Sequence, residues 1–220
     1  MNSKITLWYR WVAANAIGEL LGLGVYFTVG YIATDLLGEA PNLVFTLFLL
    51  IIASRVIEGT IVGMTQWWAM VPYFPGLTRP SWLVATILGV LSGWFLSSWV
   101  FSPTLVGYQA ASQSTQALPL GMILLQTAGI GALTGVVLSF FQWLALRSRV
   151  HKAWIWIPAS TLAWALGMPF IYAATNIIQP DVPLGQIALV LGLGFLLAGA
   201  MVGAVSGVFL VRLADQSRVE

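Results

Sequence analysis

Three charged residues stand where an apolar chain tolerates them least. Glu19, Arg55 and Glu58 fall inside two long apolar stretches, with Asn15 one helical turn from Glu19 and Gln66 two turns from Glu58. If both stretches are helices rising 1.5 Å per residue, Glu19 lies about 20 Å from the start of the first. Glu58 then sits at a similar depth on the second, and Arg55 about one turn farther along. A charge left alone at such depth in a bilayer costs at least about 2.5–3.5 kcal/mol. The three are therefore expected to face one another or a wet cavity, not lipid. Arg55 can neutralise one carboxylate; the other must find water, hydrogen bonds or a proton. Two carboxylates against one guanidinium is the pattern of a site for a proton, a cation or a polar ligand. The same residues would also serve as a bridge that pins two helices together.

The elements that carry these groups are membrane spans. Nine basic and seven acidic residues in 220 leave too little polar surface for a soluble chain of this length. Stretches of about 20 mostly apolar residues can cross a bilayer, and six are read here, at roughly 6–34, 42–71, 81–101, 119–146, 153–175 and 184–212. The breaks between them hold turn-forming residues, from Asp35 to Pro41, Pro72 to Pro80, Ser102 to Pro119, Arg147 to Lys152 and Asn176 to Pro183. The expected fold is an all-α integral membrane protein, one transmembrane domain over 1–220.

Charge placement orients it. Lys4, Arg10, Arg79, Arg147, Arg149, Lys152, Arg212 and Arg218 all fall on one side, whereas Asp35, Glu39 and Asp181 fall on the other. The positive-inside rule puts both termini in the cytoplasm, as in a bacterial-type inner or thylakoid-like membrane. The first stretch does not resemble a cleaved signal peptide, because Arg10 interrupts it and no small-residue cleavage site closes it. It is expected to remain as a span.

A period of about 72 residues runs through the chain. Gly59, Gly131 and Gly203 are 72 apart, as are Gly63, Gly135 and Gly207. Trp11, Trp82 and Trp154 follow at intervals of 71 and 72, each trailed by small residues: Gly18 and Gly22, Gly89 and Gly93, Thr161 and Ala165. Fixed-period similarity predicts a repeated unit, here a two-helix hairpin used three times, over about 1–71, 72–147 and 148–220. Glycines four apart, with Gly199 extending the last pair, share a helix face and let two backbones approach. Glu19, Arg55 and Glu58 break the repeat, since only the first hairpin carries such charges. Trp8, Trp11, Trp67, Trp68, Trp82, Trp143, Trp154 and Trp156 lie near span ends and read as interfacial anchors. Trp94, Trp99 and Trp164 read as core, or as walls of an aromatic pocket. The 102–118 connection, with Gln109, Gln113 and Gln116, reads as a short surface helix or a solvated loop.

Several chemistries are excluded or disfavoured. The absence of cysteine rules out disulfides, zinc–thiolate and iron–sulfur sites and thiol nucleophiles. The single histidine, His151, lies in a basic connection, so haem or zinc ligation within the membrane is not expected. No Gly-x-Ser-x-Gly, His-Glu-x-x-His or phosphate-loop motif occurs, and an enzyme is not expected. Nor is nucleic-acid binding.

The run Gly131-Ala-Leu-Thr-Gly135, followed by Gln142-Trp143-Leu144-Ala145-Leu146-Arg147 and Ala153-Trp154-Ile155-Trp156, resembles runs in uncharacterised bacterial multi-span membrane proteins. Glu58-Gly59 to Gly63 with Gln66-Trp67 is similar in shortened form. The resemblance implies no activity. Residue chemistry alone favours a non-enzymatic accessory or assembly subunit of a larger membrane complex, in contact with lipids and other integral proteins, with room for a lipid, quinone or pigment. The alternative is a small-solute or proton-coupled transporter, or its substrate-binding module, using the Glu/Arg cluster.

The orientation is open to a direct check. A reporter active only in the cytoplasm should work when fused after residue 220 and stay silent when inserted within 38–42; the opposite pattern refutes it.

Overall fold

Helix is the natural state of such stretches, because in hydrocarbon each backbone N–H and C=O must find its partner within the segment. The computed structural model describes residues 3–37, 43–112, 119–178 and 182–216. It contains α1 (Ser3–Leu37), α2 (Leu43–Met70), α3 (Arg79–Ser112), α4 (Leu120–Leu146), α5 (Trp156–Ile177) and α6 (Leu184–Gln216). A short 3-10 turn, Ala153–Ile155, leads into α5. All six helices are long and apolar enough to cross a membrane, the mark of a membrane protein.

The helices pack in chain order, each along the next, and α6 returns along α1 to close a ring. Glycines set the spacing. Gly18 and Gly22 of α1 face α2, Gly59 and Gly63 of α2 face α3, and Gly89 and Gly93 of α3 face α4. Gly131 and Gly135 of α4 face α5, and Gly199, Gly203 and Gly207 of α6 face α1. Gly167 does the same from α5 toward α6. At most of these positions a methyl group would run into the neighbour: on Gly203 it would stand 2.7 Å from the Val12 Cα, and on Gly59 2.8 Å from the Ile87 Cα.

The tightest core lies at the end of the ring where the two chain ends meet. Trp11, Trp82 and Trp156 converge there, with ring centroids 5.6 Å apart for Trp11 and Trp156 and 6.4 Å for Trp82 and Trp156. The 71–78 and 147–152 connections fold against this cluster and bury Tyr73, Phe74, Leu77 and Val150. Gly76 turns the first connection with a φ of 88°, and a Cβ there would stand 2.6 Å from Arg149 Nη1. Lys4 Nζ reaches Asp215 Oδ2 at 2.6 Å across the same face, an exposed pair that adds little stability.

The opposite half is loosely packed along α2, α4 and the start of α6, although Ala174 is buried there and a Cβ on Gly194 would run into it. None of residues 43–53, 120–126 or 184–193 is buried. Gly30, Gly121, Gly129 and Gly185 have no neighbouring atom within 4 Å of where a side chain would begin. The bundle is tight at one end and splayed at the other, like a cup.

Three expectations are corrected. Trp99 is 73% exposed and so is neither core nor pocket wall. Trp11, Trp82 and Trp156 are not interfacial anchors; they are fully buried, because three indoles fill the narrow axis of the closed ring. Trp68 and Trp154 are well exposed and keep a surface position. Residues 102–112 are neither a separate surface helix nor a loop, for α3 runs unbroken through them to Ser112. Pro103 does not stop α3, just as Pro169 does not stop α5, since neighbouring groups in a bundle can satisfy the freed carbonyl. Glu39, Gln113, Gln116, Asp181 and Arg218 lie outside the described residues.

The glycine spacing yields a paired prediction. Gly203→Ala should destabilise the protein in detergent by about 1–3 kcal/mol through overpacking. Gly129→Ala, placed in open space, should be neutral or stabilising by up to about 1 kcal/mol. Thermal unfolding of the two variants checks both.

Candidate functional site

Helical periodicity places Asn15, Glu19, Leu23 and Tyr26 on one face of α1, and Arg55, Glu58, Val62 and Gln66 on one face of α2. Gly22 lets those faces close up: a methyl group on it would lie 2.9 Å from Glu58 Cγ. The result is a charged group buried between two helices. Glu19 is 2% exposed and Glu58 5%.

Arg55 is committed twice. Its Nη1 donates to Glu58 Oε2 at 2.5 Å, and its guanidinium carbon lies 3.5 Å from the centroid of the Tyr26 ring. The ion pair spans i to i+3 on a single helix, so it does not by itself join α1 to α2. Glu19 is left over. Its Oε2 is buried and has no hydrogen-bond partner, although Arg55 and Glu58 are near enough for their charges to act on it.

All three residues line a cavity of about 280 Å³ at the centre of the ring. Its remaining wall comes from α3, α4 and α5: Trp94, Trp164 and Met168 present apolar faces, while Ser97, Ser98 and Thr134 supply hydroxyls. Ser97 Oγ and Thr134 Oγ1 are 3.0 Å apart and share a hydrogen bond. A second, more apolar cavity of about 450 Å³ lies between the splayed halves of α1 and α2. The two share Tyr26 and Phe27.

Asn15 and Gln66 belong to a different layer, one turn nearer the chain ends. Trp156 Nε1 donates to Gln142 Oε1 at 2.9 Å, and Gln142 Nε2 donates to Gln66 Oε1 at 3.1 Å and Thr86 Oγ1 at 3.2 Å. Gln66 Nε2 then donates to Asn15 Oδ1 at 2.9 Å, and Asn15 Nδ2 to the Trp11 carbonyl at 2.8 Å. Trp11 Nε1 completes the belt by donating to Ser206 Oγ at 2.9 Å. Every helix contributes one partner or more. Buried amides so fully satisfied hold a unique arrangement, and this belt, with the three indoles below it, floors the cavity.

The structure thus divides the residues singled out in the sequence. Glu19, Arg55 and Glu58 meet in the cavity, whereas Asn15 and Gln66 lie in its floor. Sequence reasoning missed Thr86, Gln142 and Trp156 as members of the floor and Ser97 and Thr134 as members of the wall. The Gln-Trp pairs at 66–67 and 142–143 were a usable signal for the floor. Among the described residues no group of three or more His, Cys, Asp or Glu could hold a metal ion. No family model matches the chain, and comparison with curated proteins and with solved structures finds no match.

The unequal state of the two carboxylates can be tested by substitution. Glu58→Ala strands the Arg55 guanidinium and should destabilise the protein by about 3–5 kcal/mol. Glu19→Gln removes no hydrogen bond that the structure shows and should not lower the melting temperature. Equal losses in both variants would mean that Glu19 is also structural.

Proposed function

We propose that the chain is a non-enzymatic ligand-binding protein of a cell membrane, of transport type, and that the cavity around Glu19, Arg55 and Glu58 is its site. One observation carries this reading. A carboxylate oxygen, buried and without a partner, lies on the wall of a cavity large enough for a small molecule. A structural bridge needs no such cavity and would leave no oxygen unmatched.

The three-hairpin repeat is part of the proposal. The cavity wall steps through Glu19, Leu23 and Tyr26 on α1, Val90, Trp94 and Ser97 on α3, and Trp164, Met168 and Ile171 on α5. These triplets share one spacing, and they lie equally far from Trp11, Trp82 and Trp156. The third unit is therefore counted from buried Trp156 and not from Trp154, which gives tryptophan intervals of 71 and 74. The small residues that follow become Ala163 and Gly167 in place of Thr161 and Ala165. A site on the axis of repeated units is a common transporter plan. With cytoplasmic termini, the belt floors the site on the cytoplasmic side of a bacterial-type inner membrane, and the splayed half opens outward.

The accessory-subunit reading draws on the apolar exterior, where Phe95 is 63% exposed and Trp99 and Leu125 are each 73% exposed. Lipid covers such a surface as well as a protein partner would, so the exterior favours neither reading. The polar poverty of the later hairpins, which speaks against a binding site in the bare sequence, is offset by Ser97, Ser98 and Thr134 at the cavity.

Purification from the native membrane in a gentle detergent, followed by native mass spectrometry, tests the proposal. A solitary particle that carries a small molecule is expected. Val90→Trp, which fills the cavity from its wall, should lose that molecule yet still fold. Stoichiometric membrane-protein partners, together with a cavity that holds nothing in either form, would establish the accessory subunit instead.

A further inference from the structure

The chemistry of the cavity narrows what it can hold; the argument rests on the ligand-binding reading above. Its charges do not cancel. Glu19 and Glu58 face a single cation, and Arg55 already gives Glu58 a hydrogen bond and covers one face of Tyr26. A bound anion would meet two carboxylates against one guanidinium, and although Arg55 Nε is buried without a partner, the net charge of the group still opposes it. Glu19 Oε2, buried and unmatched, needs a donor. The lining contributed by α3 and α5 includes two indoles and a thioether, from Trp94, Trp164 and Met168. Indole faces attract cations and apolar bodies alike, most strongly where water is excluded. A bare metal ion would find one uncommitted carboxylate, since among the described residues Glu19 and Glu58 are the only carboxylates lining the cavity and Glu58 already accepts from Arg55. At about 280 Å³ the space equals about nine water volumes, enough for one aromatic ring and a short arm.

We propose that this cavity takes a small organic monocation, an amine carried on an apolar body about the size of one aromatic ring, with the ammonium on Glu19 and the body against Trp94 and Trp164. Ser97 and Thr134, hydrogen-bonded to each other at 3.0 Å, complete the wall without adding charge. The pair Arg55–Glu58 is a positioning element: it holds its own neutrality and leaves Glu19 as the single uncompensated anion.

The experiment uses the full chain purified in detergent and three probes of nearly one shape: 2-phenylethylammonium, the neutral 2-phenylethanol and the anionic 3-phenylpropionate. Sodium chloride at equal ionic strength is the control. Melting temperature and isothermal titration calorimetry are read together. Only the ammonium should raise the melting temperature in a dose-dependent way. Glu19→Gln should weaken its binding about tenfold or more, the scale of a charge-assisted hydrogen bond. Trp164→Phe should weaken it less, which keeps the test decisive if Glu19→Gln fails to fold. Equal binding of 2-phenylethanol, or undiminished ammonium binding to Glu19→Gln, overturns the cation assignment. The ligand-binding reading survives that result if Val90→Trp still abolishes binding. An equal response to sodium chloride overturns the organic part of the assignment. No response to any probe overturns the inference entirely, while the molecule retained from the native membrane decides the broader reading on its own.

Discussion

Close approach of helix backbones at glycine is the constraint on which the rest of this protein depends. In lipid there is no hydrophobic force between helices, so association relies on packing and on polar contacts. Here the glycines obey a directional rule. The paired glycines of α1 to α4 and Gly167 of α5 turn toward the next helix in the chain, and α6 turns Gly199, Gly203 and Gly207 toward α1. Among the described glycines, Gly194 of α6 alone packs back on α5. A rule applied at every junction in the same sense closes a ring. The ring brings Trp11, Trp82 and Trp156 into contact and draws the belt from Asn15 to Ser206 into hydrogen-bonding range.

Where the close approach ends, the chemistry begins. Beyond the belt the axis is no longer filled by indoles, and the bundle can house groups that a packed interior would exclude. Glu19, Arg55 and Glu58 occupy that transition, between a satisfied polar floor and a splayed, apolar mouth. Their burial is tolerable because one ion pair is formed within a helix and because the remaining carboxylate borders empty volume. Had the same charges stood one turn nearer the chain ends, they would have displaced amides that already satisfy one another.

Much of this was legible in residue order. The six long apolar helices, the Gly-x-x-x-Gly faces and the meeting of the charged trio follow from composition and helical spacing, and the helix limits differ by a few residues except in α3. Helix rotation was harder to read. Whether Trp94 and Trp164 wall a cavity or fill a core depends on a few tens of degrees about each helix axis, which an almost uniformly apolar helix does not encode in its hydrophobic pattern. The same blindness made Trp11, Trp82 and Trp156 resemble interfacial anchors: position near a span end is visible in the sequence, but facing the axis is not. Gln142 was hidden for a related reason, since its partners Gln66, Thr86 and Trp156 come from three other helices.

The closure of α6 onto α1 has a consequence for biogenesis. The two helices that complete the ring, α1 and α6, are far apart in sequence, so the hairpin of α1 and α2 is made before α6 is. The pairing of Arg55 and Glu58 at i and i+3 needs no other helix to form, and the Tyr26 ring that Arg55 covers belongs to the same hairpin. Pairing within one helix lowers the cost of carrying two charges into the bilayer before the ring is closed. Glu19 has no basic residue within one turn on α1, so its span carries the cost of a buried charge until α2 lies beside it.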